Sequence, residues 1–145
     1  MNVDVEVLSE VTDEVVEAFE RLLPQLSTTA KRLDAVALSA IVESAASTVL
    51  LARADKQILG TLTLVTVVIP SGVRAWIEDV VVDETARGQG VGAALTQEAV
   101  RLAQADGART VDLTSRPSRQ AANRLYERLG FQARDSRVYR LADGQ

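Results

Sequence analysis

The spacing of hydrophobic and polar positions changes several times along the chain, and each change predicts an element. Val3-Asp4-Val5-Glu6-Val7 alternates strictly between apolar and acidic residues, the period of a strand with one face covered. Thr12-Asp13-Glu14 predicts a helix start with an acidic first turn. Val15, Phe19, Leu22 and Leu26 then recur at helical spacing, with Pro24 expected to end or bend the helix. Leu33, Ala37 and Ile41 predict a second helix. Two Val-, Leu- and Thr-rich runs, 47–54 and 58–69, read as strands joined by a hairpin turn at Asp55-Lys56-Gln57. Pro70-Ser71-Gly72 predicts another turn, and 75–83 a further strand. Residues 90–104 carry Val91, Leu95, Ala99 and Leu102 on one helical face, closed by Asp106-Gly107. A short strand at 110–114 follows. A last helix starts near Pro117-Ser118, runs through Ala122, Leu125 and Leu129, and stops at Gly130. Residues 131–141 are expected to form terminal β structure.

The predicted order is β-α-α-β-β-β-α-β-α-β. Its early strands form an antiparallel meander, and the later strand–helix–strand crossover implies at least one parallel pair. The fold class is therefore α/β (α+β), with a mixed, mostly antiparallel central sheet and about four flanking helices. The length of 145 residues fits one domain, 1–145, with one core.

Composition narrows the chemistry. There is no cysteine and no histidine. A cysteine nucleophile, a disulfide, a Ser-His-Asp triad and a His or Cys metal site are therefore excluded. No metal site is expected: Asp79, Asp83 and Glu84 are scattered by their spacing along a strand. The net charge of −4 disfavours a nonspecific nucleic-acid binder. No apolar run approaches the ~20 residues needed to span a bilayer. The acidic, alternating N-terminus lacks the pattern of a signal peptide, so a cytoplasmic location and no membrane association are expected.

The most informative stretch is 79–92. A Val-rich strand ending Val80-Val81-Val82 leads through a polar loop into Gly88, Gly90 and Gly92, which alternate just before a helix. Free N–H groups in a first helical turn, at the positive end of the helix dipole, favour phosphate, and glycines let a ligand approach the backbone. Arg87 adds a positive charge beside them. A plain connecting turn would not need three alternating glycines. Walker A fails, because no Gly-Lys-Ser/Thr follows. Gly88-x-Gly90-x-x-Ala93 formally matches a dinucleotide fingerprint, and Asp112 ends the next strand. The loop from Asp83 to Arg87, the mid-chain position and the short chain argue against that assignment.

Arg87-Gly88-Gln89-Gly90-Val91-Gly92 resembles the Gln/Arg-x-x-Gly-x-Gly/Ala signature of the GNAT N-acetyltransferase superfamily. Downstream, Ala122-Asn123-Arg124-Leu125-Tyr126-Glu127-Arg128-Leu129-Gly130-Phe131 is similar to that family's C-terminal helix, which ends Leu-Tyr-x-x-x-Gly-Phe. Two motifs in order are more specific than either alone. The resemblance implies a GNAT-like fold and acetyl transfer from acetyl-CoA to an amine by direct attack. It implies that Arg87, Gly88, Gln89, Gly90, Val91, Gly92 and Ala93 hold the pyrophosphate, and that backbone groups near Val81 and Val82 align the pantetheine. It departs at Arg119, where many members carry asparagine; Asn123 is shifted from that position by four residues.

Tyr126 matches the family's general-acid tyrosine, since a phenol can protonate or hydrogen-bond a thiolate leaving group. Its other reading is helix-face packing between Leu125 and Leu129. Glu78 and Asp79 are the candidate bases, and alternation puts them on opposite faces of the strand. Glu78 matches the position where several family members place a base; a structural salt bridge is the alternative. The acceptor is expected to be a small-molecule or peptide amine. Arg137, Tyr139 and Arg140 read as solvent-facing or dimer-facing, and exposed terminal strands make a homodimer plausible. Two other functions stay open: a non-catalytic module that binds or senses acyl-CoA, and a dinucleotide binder.

Overall fold

The computed structural model describes residues 2–143. Its elements are β1 (Asp4–Val7), α1 (Asp13–Leu26), α2 (Ala35–Glu43), β2 (Ser47–Ala54), β3 (Gln57–Ile69), β4 (Gly72–Val82), a 3-10 turn (Glu84–Ala86), α3 (Val91–Ala105), β5 (Thr110–Asp112) and α4 (Gln120–Arg128). The strands form one five-stranded sheet in sequence order. β1 to β4 pair antiparallel, while β4 and β5 pair parallel across the α3 crossover. The mixed, mostly antiparallel sheet with four helices is the architecture that the sequence predicts. The backbone divides into two compact units: one up to Thr114, with the sheet and α1 to α3, and a smaller one from Ser115, with α4.

Local chemistry explains most boundaries. Thr12 caps α1, its hydroxyl accepting the Val15 N–H at 3.3 Å, and Asp34 caps α2 by accepting from Ala37 at 2.8 Å. Pro24 does not end α1. The helix runs on to Leu26, and the Ser27 N–H donates to the Leu23 carbonyl at 3.0 Å. So near the helix end, the missing proline N–H removes little of the ladder. Asp55 and Lys56 both have positive φ, 51° and 66°, the two-residue hairpin geometry whose twist matches the flanking strands.

Register assigns the two sheet faces. Leu51, Thr61 and Val81 are cross-strand partners, and so share one face. Val49, Leu51, Ile58 and Val81 cluster there with Val15, Ala18, Phe19 and Leu22 of α1 and Leu38 of α2. The alternate row, Ala52, Gly60 and Val82, faces α3, whose Val91 and Leu95 lie over Gly60. Both faces are covered, which is why 48–52 is continuously apolar after its first threonine. Arg53 ties the sheet edge together. It donates to Glu6 of β1 and forks onto both carboxylate oxygens of Glu14 in α1, each at 2.9 Å.

Leu22 is fully buried at the centre of the α1 cluster. Leu22→Ala should cost about 2–5 kcal/mol, the range for deleting a buried leucine whose cavity does not collapse. Urea denaturation would show it as a lower midpoint at unchanged slope; a loss under about 1 kcal/mol would mean that the cluster does not depend on this side chain.

One predicted element is absent. Residues 131–141 form no strand, and Val138, Tyr139 and Leu141 are exposed, at 70%, 87% and 102%. Alternation marks residues able to join a sheet, but a strand exists only through its partner's hydrogen bonds.

Candidate active site

β4 is paired unequally on its two sides. Against β3 its register runs from Gly72 to Val82, whereas against β5 it covers just Arg74, Ala75 and Trp76. From Ile77 to Val82 the β5 side of β4 therefore carries no sheet partner among the described residues. Alternate backbone groups along that edge, the Val82 N–H among them, are open to an extended amide-bearing ligand, while the Val82 carbonyl accepts from Arg87.

A bulge lies in the same half-strand. Thr63 opposes Glu78 and Thr61 opposes Val81, so Asp79 and Val80 together face the single residue Leu62. Asp79 adopts φ +51°. By register Glu78, the partner of Thr63, and Asp79, opposite Leu62, lie on opposite faces of the strand as alternation predicts, and both are exposed. The extra residue shifts the parity of the strand, which strict alternation cannot anticipate. Glu78, as partner of Thr63, lies on the sheet face that α1 covers further along.

The connection into α3 is shaped by Asp83. Its Oδ1 accepts the Thr85 N–H at 3.1 Å and the Thr85 hydroxyl at 3.0 Å, and its Oδ2 accepts from Arg21 Nε at 2.9 Å. Arg21 also donates to the Ile58 carbonyl, and Gln25 Oε1 accepts the Glu84 N–H at 2.8 Å. Three groups of α1 and the turn thus hold the loop. The Thr85 N–H first, then its hydroxyl and Arg21, keep the Asp83 carboxyl below its ordinary range, against the opposing effect of burial. A depressed carboxylate pKa adds stability above the unfolded-state value that is lost as pH falls through the folded-state value. Asp83→Asn should therefore destabilise the chain at neutral pH by about 1–3 kcal/mol, and the difference from wild type should shrink below pH about 4. Parallel melts at pH 7 and pH 3.5 check this, and a gap that persists unchanged at low pH would refute it. Asp83 is a shaping residue that sequence reading weighed as an improbable metal ligand. Among the described residues, no group of three or more carboxylates is gathered as for a metal ion.

Arg87-Gly88-Gln89-Gly90 is exposed. Gly88 and Gly90 have φ of +76° and +87°, and Gly90 is the N-cap of α3. A β-carbon at either would meet nothing within 4 Å, so the backbone conformation demands glycine there and the space above is open. No side chain caps the helix and its first turn has no acidic residue. The first ladder bond runs from Ala94 N–H to Gly90 O at 3.0 Å, leaving the N–H groups of Val91, Gly92 and Ala93 without intrahelical partners. Arg87 rests one guanidinium N–H on the Val82 carbonyl at 3.4 Å. Free amides, a helix dipole, an arginine and a first turn without acidic residues make a cradle suited to a phosphate-bearing ligand.

The second unit carries Tyr126, which is 8% exposed. Gly130, at φ +99°, ends α4 in a paired cap: Phe131 N–H donates to Tyr126 O at 3.0 Å and Gly130 N–H to Glu127 O at 3.1 Å. The Phe131 ring meets the Tyr126 ring edge-on, centroids 5.9 Å apart. The Tyr-x-x-x-Gly-Phe spacing is thus a helix cap that grips the tyrosine from both backbone and ring. Burial pushes the Tyr126 phenol up, partly opposed by the positive charge of Arg119, so it stays protonated at neutral pH. Arg119 is the exposed N-cap of α4. Asn123 is occupied locally: its Oδ1 accepts from the Ser115 hydroxyl and its Nδ2 donates to the Arg116 carbonyl at 3.1 Å.

Residues 9–131 match the model of the acetyltransferase (GNAT) family, and the chain belongs to that family. No curated protein matches it. Among solved structures it is similar to an acetyltransferase from Trypanosoma brucei, at 28% identity and TM-score 0.79, over 97% of this chain and 99% of that one. It is also similar to a transcriptional regulator from Bacillus halodurans C-125, at 25% identity and TM-score 0.81 with the same coverage. An aminoglycoside acetyltransferase from an uncultured soil metagenomic sample shares the fold, with TM-score 0.85 at 19% identity over 99% of this chain and 97% of that one.

Proposed function

We propose that the chain is an acetyl-CoA-dependent N-acetyltransferase. The observation that carries this reading is the uncapped, glycine-led start of α3 at the end of the half-paired strand β4, in a chain of the GNAT family. Acetyl-CoA would supply a thioester that an amine attacks at the carbonyl carbon, forming the C–N bond and releasing the CoA thiolate. The amides at the start of α3, with Arg87, hold the pyrophosphate. The free edge of β4 near Val81 and Val82 hydrogen-bonds the pantetheine amides. Glu78 takes the proton that the amine loses, directly or through water, and Tyr126 gives its phenolic proton to the departing sulfur. Acceptor selection is assigned to α1, α2 and the strand-connecting loops, where a cavity of about 240 Å³ is lined in part by Phe19, Leu23, Pro24 and Arg32.

Thermal melting with acetyl-CoA, CoA, NAD and ATP in parallel tests the ligand. Acetyl-CoA at 100 times its Kd stabilises the fold by about 2.7 kcal/mol, a shift of several degrees for a chain of this size. No shift with acetyl-CoA beside a clear one with NAD would transfer the glycine turn to a dinucleotide. Turnover is then measured over a panel of aminoglycosides, polyamines and peptide N-termini. The similarity to a transcriptional regulator supports a second reading, a non-catalytic acyl-CoA sensor; CoA binding with no turnover of any amine would favour it.

A further inference from the structure

We infer that Gly60, in the middle of β3, is a positioning residue for the cofactor cleft, and that its missing side chain sets acetyl-CoA affinity. The inference rests on the acetyl-CoA reading above. Gly60 differs in kind from the glycines of the turn, for it has an ordinary φ and crowded surroundings. A β-carbon there would lie 3.0 Å from Val91 Cγ1, 3.1 Å from the Val81 carbonyl oxygen and 3.2 Å from Leu95 Cδ1. These three neighbours belong to the two elements that build the cleft. Val91 directly follows the N-cap Gly90, and its own N–H is one of the free amides. Val81 lies on the half of β4 that lacks a partner on the β5 side.

The sheet bends on both sides of this residue. Ala52 opposes Gly60 while Arg53 opposes Ile58, so Leu59 is an extra residue against β2. Two positions along, β4 carries its own bulge opposite Leu62. Between these irregularities the first turn of α3 settles directly on the β3 backbone. A side chain on Gly60 would press on Val91 and on the β4 backbone at Val81, whose carbonyl faces β3, so that the neighbours must give by a few tenths of an ångström. A shift of the first turn of α3 against β4 separates the phosphate donors from the strand edge that must act on the same ligand at once. A glycine in a strand interior otherwise weakens the strand, and close approach of another backbone is the physical reason for having one.

Gly60→Ala adds one methyl group and asks for shifts of a few tenths of an ångström, so the chain should fold. Titration calorimetry with CoA should show affinity about tenfold weaker, because a misplaced set of preorganised donors loses part of every charge-assisted bond. The KM for acetyl-CoA should rise while kcat changes much less. Leu38→Ala is the comparator, since Leu38 is buried in the cluster on the other sheet face and its loss lowers general stability. It should leave CoA affinity unchanged. Gly60→Ala/Val91→Ala removes the atom nearest the added methyl and should bind CoA more tightly than Gly60→Ala. Wild-type affinity in Gly60→Ala, equal weakening in Leu38→Ala, or no recovery in the double variant would each overturn the inference. Failure of the wild-type chain to bind CoA would instead reject the acetyl-CoA reading itself.

Discussion

Replacing Tyr126 with phenylalanine should lower kcat by about a hundredfold or more, the lower end of what a positioned general acid contributes. The substitution keeps the ring, so the edge-on contact with Phe131 and the Gly130 cap should survive, and stability should change little. CoA binding should also be preserved, because the phosphate cradle lies at the start of α3. The pH dependence adds a second signature. Burial raises the Tyr126 pKa, so the phenol is a proton donor throughout the neutral range and is lost as a donor only when pH rises through its raised value. A wild-type alkaline limb in kcat that starts above pH about 10 should therefore vanish in Tyr126→Phe. Steady-state kinetics with the acceptor found in the amine panel would measure both effects. A kcat within about threefold of wild type would return Tyr126 to its other reading, a packing residue held by the cap at Gly130.

Gly90→Asp should abolish the melting shift caused by acetyl-CoA, with a loss in affinity of at least about a hundredfold. Two effects act on the ligand: the carboxylate stands where a phosphate would approach, and it competes for the amides of Val91, Gly92 and Ala93. The free protein should be little affected. Aspartate tolerates the left-handed backbone at φ +87° better than most residues, at a cost of roughly 1 kcal/mol. As an N-cap it returns a similar amount, so unchanged melting without ligand would separate lost binding from lost folding. Gly90→Ala carries strain without charge and should weaken binding far less. Equal effects of Ala and Asp would mean that backbone geometry alone, and no anion, matters at this turn.

Much of this protein is legible along the chain because the signals are local. Thr12 announces its helix through a hydroxyl cap, and Asp55-Lys56 makes its turn within two residues. The alternating glycines stand before α3, and Gly130-Phe131 closes α4 on Tyr126, because a helix end is satisfied by its nearest neighbours in sequence. Those features carried the family resemblance that the match over 9–131 then established.

Pairing and packing decided the rest. The bulge at Asp79 and Val80, which shifts the parity of β4 between Glu78 and Val81, depends on how β4 meets Leu62 of β3. The half-free edge of β4 exists because β5 stops at Asp112. Residues 131–141 alternate as a strand would and yet form none, since alternation provides no hydrogen-bond partner. Gly60 looks like a flaw in a strand until Val91 and Val81 are seen against it. By itself the sequence determined where the helices and turns lie and which residues could do chemistry, since caps, turns and periodicity act over a few neighbouring residues. Which strand edges stay open, which carboxylates face solvent and how closely α3 settles on the sheet were decided by the tertiary structure, because hydrogen-bond partners and steric neighbours are set by contacts between distant segments.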